Sequence, residues 1–200
     1  MSAPLPFART ATVTRRTKET EVSCTLALDG TGETDISTGI GMLDHLVSAL
    51  VRHARLDVTL RCVGDLVVDD HHTAEDCALV LGQALDEALG DRSGVRRFGS
   101  AYAPLDEALA RSVIDLSGRP WPAVDLGLRR EMLGGIACEN VTHVLQSFAI
   151  ASRTTLHVDV LRGSNDHHRA EAAFKATALA LRAAVARDGA GVPSTKGVLG

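Results

Sequence analysis

The sequence predicts an α+β protein built from one unit used twice, each unit a small sheet with helices packed on one side. Three observations carry that prediction. The hexapeptide Asp70-His-His-Thr-Ala-Glu75 returns 96 residues later as Asp166-His-His-Arg-Ala-Glu171. The stripe Leu43, Leu46, Val47, Leu50 and Val51, spaced as one buried face of a helix, returns at an offset of 98 as Val141, Val144, Leu145, Phe148 and Ala149. Between stripe and hexapeptide, Val58, Leu60 and Cys62 alternate as a half-buried strand does, and Leu156, Val158 and Val160 repeat the alternation. A two-residue difference in the loop that follows accounts for the change of offset.

In chain order, alternation from Arg9 to Leu28 predicts strand structure turned by Asp29-Gly30. The first striped helix and its strand follow, then a helix from about Thr73 to Leu89 that Gly90 stops. The second unit opens with strands around Ala108 to Leu116 and Ala123 to Leu128, separated by Gly118 and Pro120. Its striped helix and strand lead to a last helix over about Ala170 to Ala186. Asp91 to Gly94 reads as the boundary between units and Gly189 to Gly197 as a mobile tail. The expected organisation is a repeat over 1–93, a second over 94–190, and a tail over 191–200.

Composition narrows the function. With 45% hydrophobic and 23% charged residues over 200 positions, the chain can bury a core. An aromatic content of 3% and a net charge of -4 argue against both single-stranded and duplex nucleic acid as partners. The four cysteines, Cys24, Cys62, Cys77 and Cys138, match no zinc-ribbon or redox spacing and read as reduced, mostly buried thiols. The apolar stretch Ala3 to Ala8 is short and broken by Pro4 and Pro6, so it does not read as a secretory segment. No uncharged run approaches the roughly 20 residues that span a bilayer. A soluble, cytoplasmic protein with no membrane partner is expected.

Four of the eight histidines lie in the two hexapeptides. On a helix, adjacent residues point about 100° apart while i and i+3 share a face. His72 and Glu75 can therefore reach one metal ion while His71 points elsewhere, and His168 and Glu171 can serve a second while His167 points away. The economical arrangement has each odd histidine complete the other repeat's site, within a chain or across subunits. His45 and His143, equivalent at the 98-residue offset, add one ligand each. His45 lies about 200° around its helix from Leu43, off the buried stripe, which weakens a core reading for it. Two sites of three imidazoles and one carboxylate result, a set that suits manganese, iron or zinc.

A single such motif is more often a solvated helix start whose acids complement the helix dipole. Two copies on a matched scaffold, each with an upstream histidine, favour metal. His53 and His157 have no partner in the repeat and read as surface or structural residues. Asp69, Asp70, Asn165 and Asp166 read as helix caps. Cys77, beside Ala78 and Leu81, reads as core.

The runs Thr38-Gly-Ile-Gly-Met-Leu-Asp-His45, Asp70-His-His-Thr-Ala-Glu-Asp76 and Gly163-Ser-Asn-Asp-His-His168, with Glu171 and Phe174-Lys-Ala, resemble the imidazoleglycerol-phosphate dehydratase family of histidine biosynthesis. The resemblance runs from Arg9 to Gly197. It implies a duplicated α+β fold resembling the second domain of ribosomal protein S5. It also implies two Mn2+ per active site between subunits, and a homo-oligomer of twenty-four copies. Carried over, the family pattern puts His45, His72, Glu75 and His167 on one manganese, and His71, His143, His168 and Glu171 on the other. Phosphate-binding positions fall on Arg97, Arg119, Ser194 and Lys196, and a family acid falls on Glu19. The implied substrate contacts are Glu19, His45, His53, His71, His72, Arg97, Arg119, His167, His168, Ser194 and Lys196. Glu19, Glu75 and Glu171 are the implied catalytic acids. Met42, where Phe is common, and Ile150 to Thr154 depart from the pattern without touching a ligand.

The implied reaction removes water from imidazoleglycerol phosphate, taking a proton from a carbon that no carbonyl acidifies. Two other readings stay open on residues alone. Metal-dependent phosphoesterases also carry Asp-His-His, but in Asp-rich clusters, and would release phosphate from generic esters. A metal-storage or metal-stapled shell protein would bind metal without turnover.

Overall fold

The computed structural model of the chain describes residues 9–189 and 191–199, so the segment Ala3 to Ala8 lies outside the described residues. The first unit runs β1 (Thr10–Arg16), β2 (Thr20–Ala27), β3 (Thr34–Ser37), α1 (Gly41–Ala54), β4 (Asp57–Gly64) and α2 (His71–Leu89). The second opens with β5 (Phe98–Leu105), β6 (Ala108–Asp115) and β7 (Trp121–Asp125). A small hairpin of β8 (Met132–Leu133) and β9 (Ile136–Ala137) follows, then α3 (Cys138–Ala151), β10 (Thr155–Arg162) and α4 (Asp166–Val185). The two main sheets have the same order, β1-β2-β4-β3 and β5-β6-β10-β7. In each, a parallel edge strand, β3 or β7, joins the sheet through a crossover that carries the striped helix.

Both predicted stripes are buried, on α1 and on α3. Val58, Leu60 and Cys62 of β4 turn inward with them, as do Leu156 and Val158 of β10, while Val160 is half-buried. Each helix packs on the sheet of its own unit and on a helix of the other: α1 meets α4 and α2 meets α3. The units thus close on one shared interior. Leu43 and Val47 of α1, Leu81 of α2, Val144 and Phe148 of α3 and Phe174 of α4 border the same small gap at its centre. Glycine permits the closest approaches. A Cβ on Gly82 of α2 would stand 2.6 Å from the Phe148 carbonyl of α3, and one on Gly99 of β5 would stand 1.9 Å from the Ala180 carbonyl of α4. All four cysteines are free and buried.

The first turn differs from the sequence reading. The chain reverses at Thr17–Glu19, where the Thr17 hydroxyl accepts the amides of Glu19 (3.0 Å) and Thr20 (2.9 Å). Asp29-Gly30 instead begins the connection from β2 to β3, which the Asp57 carboxylate gathers by accepting the amides of Thr31, Gly32 and Glu33. The sequence reading also contains no strand for β3 or β5. β3 has four residues with one half-buried apolar side chain, Ile36, and β5 carries Gly99 and Pro104, so neither shows a clean alternation.

Candidate metal and substrate site

Local structure explains how each functional side chain is presented. Ahead of α1, the Asp44 carboxylate accepts the amide (2.8 Å) and hydroxyl (2.6 Å) of Thr38, closing the entry turn and leaving the next residue, His45, on the outer face. Asp69 accepts the His71 amide at 2.9 Å, and Asn165 accepts the His167 amide at 2.9 Å, so these two residues cap the two hexapeptide helices. Asp70 and Asp166 do not cap. Asp70 accepts the Ala137 amide at 2.8 Å, and Asp166 accepts the amides of Arg129 and Arg130 at 2.8 and 2.7 Å. Each aspartate ties its helix start to the segment before α3, because capping is already satisfied by the residue ahead of it.

Where α1 crosses α4, the Nε2 atoms of His45 and His167 lie 3.0 and 3.2 Å from the same Glu171 oxygen. Where α2 meets α3, His143 Nε2 lies 2.9 Å from Glu75, and the His71 and His143 rings stack at 5.1 Å. The ligand atoms of each trio lie within 4.8 Å of one another. Each trio draws on both repeats. Within one chain the residues that share a face are i and i+4, His71 with Glu75 and His167 with Glu171, rather than i and i+3. The four-residue sets of the family pattern are not gathered in one chain: the expected histidine pairs meet, each beside the other set's carboxylate.

His72 and His168 stand outside both trios. Nδ1 of His72 meets Asp65 at 3.1 Å, and its Nε2 is 3.8 Å from Glu19. Nδ1 of His168 meets Glu107 at 2.7 Å, and its Nε2 is 3.9 Å from Asp106. These hydrogen bonds to carboxylate push both imidazoles above their ordinary value. Burial pushes Glu171 up, but the ammonium of Lys175 at 2.6 Å and the His45 ring more than offset it and hold the carboxyl at about 2. His71 is oriented by Asn140, whose carbonyl lies 2.9 Å from Nδ1 and whose amide donates to Asp70. The donors fit a divalent transition metal: two imidazoles and a carboxylate converge in each trio, and carboxylate or amide partners fix the Nδ1 side of His71, His72 and His168.

The basic candidates lie elsewhere. Arg97 forks onto Asp115 at 2.7 and 3.1 Å, donates to the Pro193 carbonyl at 2.8 Å, and has its amide on the carbonyl of Ala184 near the end of α4. The Arg97 carbonyl accepts the amide of Leu116, three residues before Arg119. Pro193 precedes Ser194, whose hydroxyl accepts the Lys196 amide at 3.2 Å. From His168 to Ala184, α4 spans roughly 24 Å. One chain therefore separates Arg97 from His167 and His168 by most of the length of α4. His53 is exposed in the last turn of α1, where burial and then the Lys175 charge lower its affinity for a proton, and His157 is exposed on β10. Sequence reasoning missed Asp65, Glu107 and Asn140, which no periodicity marks. It also missed Lys175, which the i, i+4 spacing to Glu171 could have found.

Fold and site define a duplicated α+β protein whose two repeats jointly build histidine–carboxylate centres. The family model described as imidazoleglycerol-phosphate dehydratase matches residues 38–181. An imidazoleglycerol-phosphate dehydratase from Phaffia rhodozyma is 55% identical over 205 residues, covering 100% of both chains. One from Phytophthora nicotianae is 59% identical over 192 residues, which are 96% of this chain but 42% of that longer protein. The crystal structure of imidazoleglycerol-phosphate dehydratase from Staphylococcus aureus superposes with a TM-score of 0.80 at 34% identity, over 89% of this chain and 99% of that one. The chain belongs to the imidazoleglycerol-phosphate dehydratase family. Among the described residues, no helix is long and apolar enough to cross a membrane.

Proposed function

We propose that the protein dehydrates D-erythro-imidazoleglycerol phosphate to imidazoleacetol phosphate in histidine biosynthesis, in the cytoplasm, with two manganese ions in each active site. The observation that carries this reading is the pair of matched trios, each with its converging donors, beside two further histidines anchored at Nδ1 and turned away. His45, His72, Glu75 and His167 would hold one ion, and His71, His143, His168 and Glu171 the other. One chain keeps His72 and His168 apart from the other members of their sets, and Arg97 lies at the far end of α4. Both facts favour sites shared between copies, and the family resemblance implies twenty-four of them in a homo-oligomer.

Bound manganese would supply the positive charge that lets the substrate's imidazole ring give up its N–H proton. The electron-rich ring expels the neighbouring hydroxyl, giving a diazafulvene-like intermediate. Loss of a proton from the next carbon and return of one to the ring nitrogen yield an enol, which tautomerises to the ketone. Glu19, at the tip between β1 and β2 and 3.8 Å from His72, would carry these protons, giving one to the departing hydroxyl and taking one from carbon. Glu75 or Glu171 could exchange ligation for proton transfer as substrate enters. Arg97 and Arg119, with Ser194 and Lys196 of the tail, would grip the phosphate and spend that binding on orientation. His45, His53, His71, His72, His167 and His168 would surround the ring end.

The test is ketone formation from synthetic imidazoleglycerol phosphate by chelator-stripped protein, with and without manganese. Restored turnover is the expected result. Manganese bound at both centres with no turnover would replace this reading by metal storage.

A further inference from the structure

The duplication lets the two outlying histidines be compared residue by residue. Strands β2 and β6 both have eight residues and pair with β4 and β10 in one register as far as Val22 on Cys62 and Ala110 on Val160, so that Cys24 faces Leu60 as Ser112 faces Val158; beyond that point an irregularity inserts one residue into β10, not into β6. This register superposes Thr20 on Ala108 and therefore Glu19 on Glu107, each the last residue of its hairpin tip. The two glutamates nevertheless make different contacts. Glu19 Oε1 is 3.8 Å from Nε2 of His72, the nitrogen facing away from its anchor. Glu107 Oε2 is 2.7 Å from Nδ1 of His168, and its other oxygen accepts the amides of Ser164 (3.0 Å) and Asn165 (2.8 Å) and the Ser164 hydroxyl (3.3 Å).

The loops explain the difference. The connection from β4 to the first hexapeptide is the longer one, and its first residue, Asp65, occupies Nδ1 of His72 at 3.1 Å. The shorter connection from β10 begins with Gly163 and Ser164 and contains no acid before Asp166, which is itself engaged by Arg129 and Arg130. With no loop acid available, the hairpin glutamate must fix the ring.

We propose that Glu107 is a positioning residue that holds His168 with Nδ1 as the donor and Nε2 turned outward as a metal ligand, whereas Asp65 does this for His72 and so releases Glu19 for proton transfer. The duplicated hairpin acids thus have divided roles. This inference rests on the metal reading above and deepens it.

Manganese affinity and stoichiometry of the assembled protein, measured by chelator competition, test it separately from activity. Glu107→Gln keeps an acceptor for the loop amides but loses the charge on the imidazole. It should weaken one of the two manganese ions about 10- to 100-fold and leave the other unchanged. Asp65→Asn should do the same to one ion, and Glu19→Gln should leave both in place while turnover is lost. In a His168→Gln background, Glu107→Gln should change manganese affinity no further, since the two act as a unit. Both ions held by Glu107→Gln at the original affinity would overturn the proposal, as would equal losses in the presence and absence of His168. If Glu107→Gln does not assemble, the Asp65→Asn and Glu19→Gln pair decides: an unchanged ion set in Asp65→Asn, or a lost ion in Glu19→Gln, overturns the division of roles. Wild-type protein that bound no manganese would instead sink the metal reading itself.

Discussion

Glu171 shows how one side chain sets the behaviour of the site. It is shared by His45, His167 and Lys175, and the Lys175 ammonium and the His45 ring hold its carboxyl at about 2 against an ordinary 4.5, against the upward push of burial. A carboxyl whose value is depressed on folding contributes stability that is complete above its unfolded value and lost as pH falls through the folded one. In metal-free protein, the gap in urea midpoint between wild type and Glu171→Gln should therefore be at full size above about pH 5 and close toward pH 2. A gap independent of pH would show that the carboxylate is not held in this way. The histidines and glutamates of the trios were legible in the sequence because the hexapeptide and the striped helix ahead of it both occur twice. Asp65 and Glu107 were not legible, since Asp65 reaches its ring from an irregular loop and Glu107 from a hairpin 61 residues away, and neither placement leaves a period behind.

Among the elements, the helices were the most legible. The stripes on α1 and α3 reach the burial that their spacing predicts, since a one-sided helix has one way to hide its apolar face. Strands β3 and β5 escaped because a short edge strand, and a strand interrupted by Gly and Pro, need little alternation to pair. Gly99 belongs to this scale. It lets β5 lie directly under α4, whose buried face is largely alanine: Ala170, Ala173, Ala176, Ala180 and Ala184. Gly99→Ala would drive a methyl group into the Ala180 carbonyl and should cost about 3 kcal/mol, read as a fall in the urea midpoint of metal-free protein. An unchanged midpoint would mean that the approach of β5 to α4 is not close-packed.

For the whole molecule, the distribution of charge matters most. The tail carrying Ser194 and Lys196 runs past Arg97 at the C-terminal end of α4, while His167 and His168, with His45 beside Glu171, lie toward its other end. If Lys196 grips the substrate's phosphate, Lys196→Ala should raise KM about tenfold, the equivalent of about 1.4 kcal/mol, with kcat changed less. A KM that does not move would remove the tail from the phosphate site. The sequence by itself determined the duplication, the four principal helices and the eight candidate ligands, because a repeated spacing is a one-dimensional record of a shared fold. Tertiary structure alone decided which ligands meet. The pairing of α1 with α4 and of α2 with α3 brings each upstream histidine to the other repeat's glutamate and leaves His72 and His168 on their own anchors. That choice follows from how two one-sided units bury their helices against each other, and contacts between residues so far apart in the chain leave no period from which to read them.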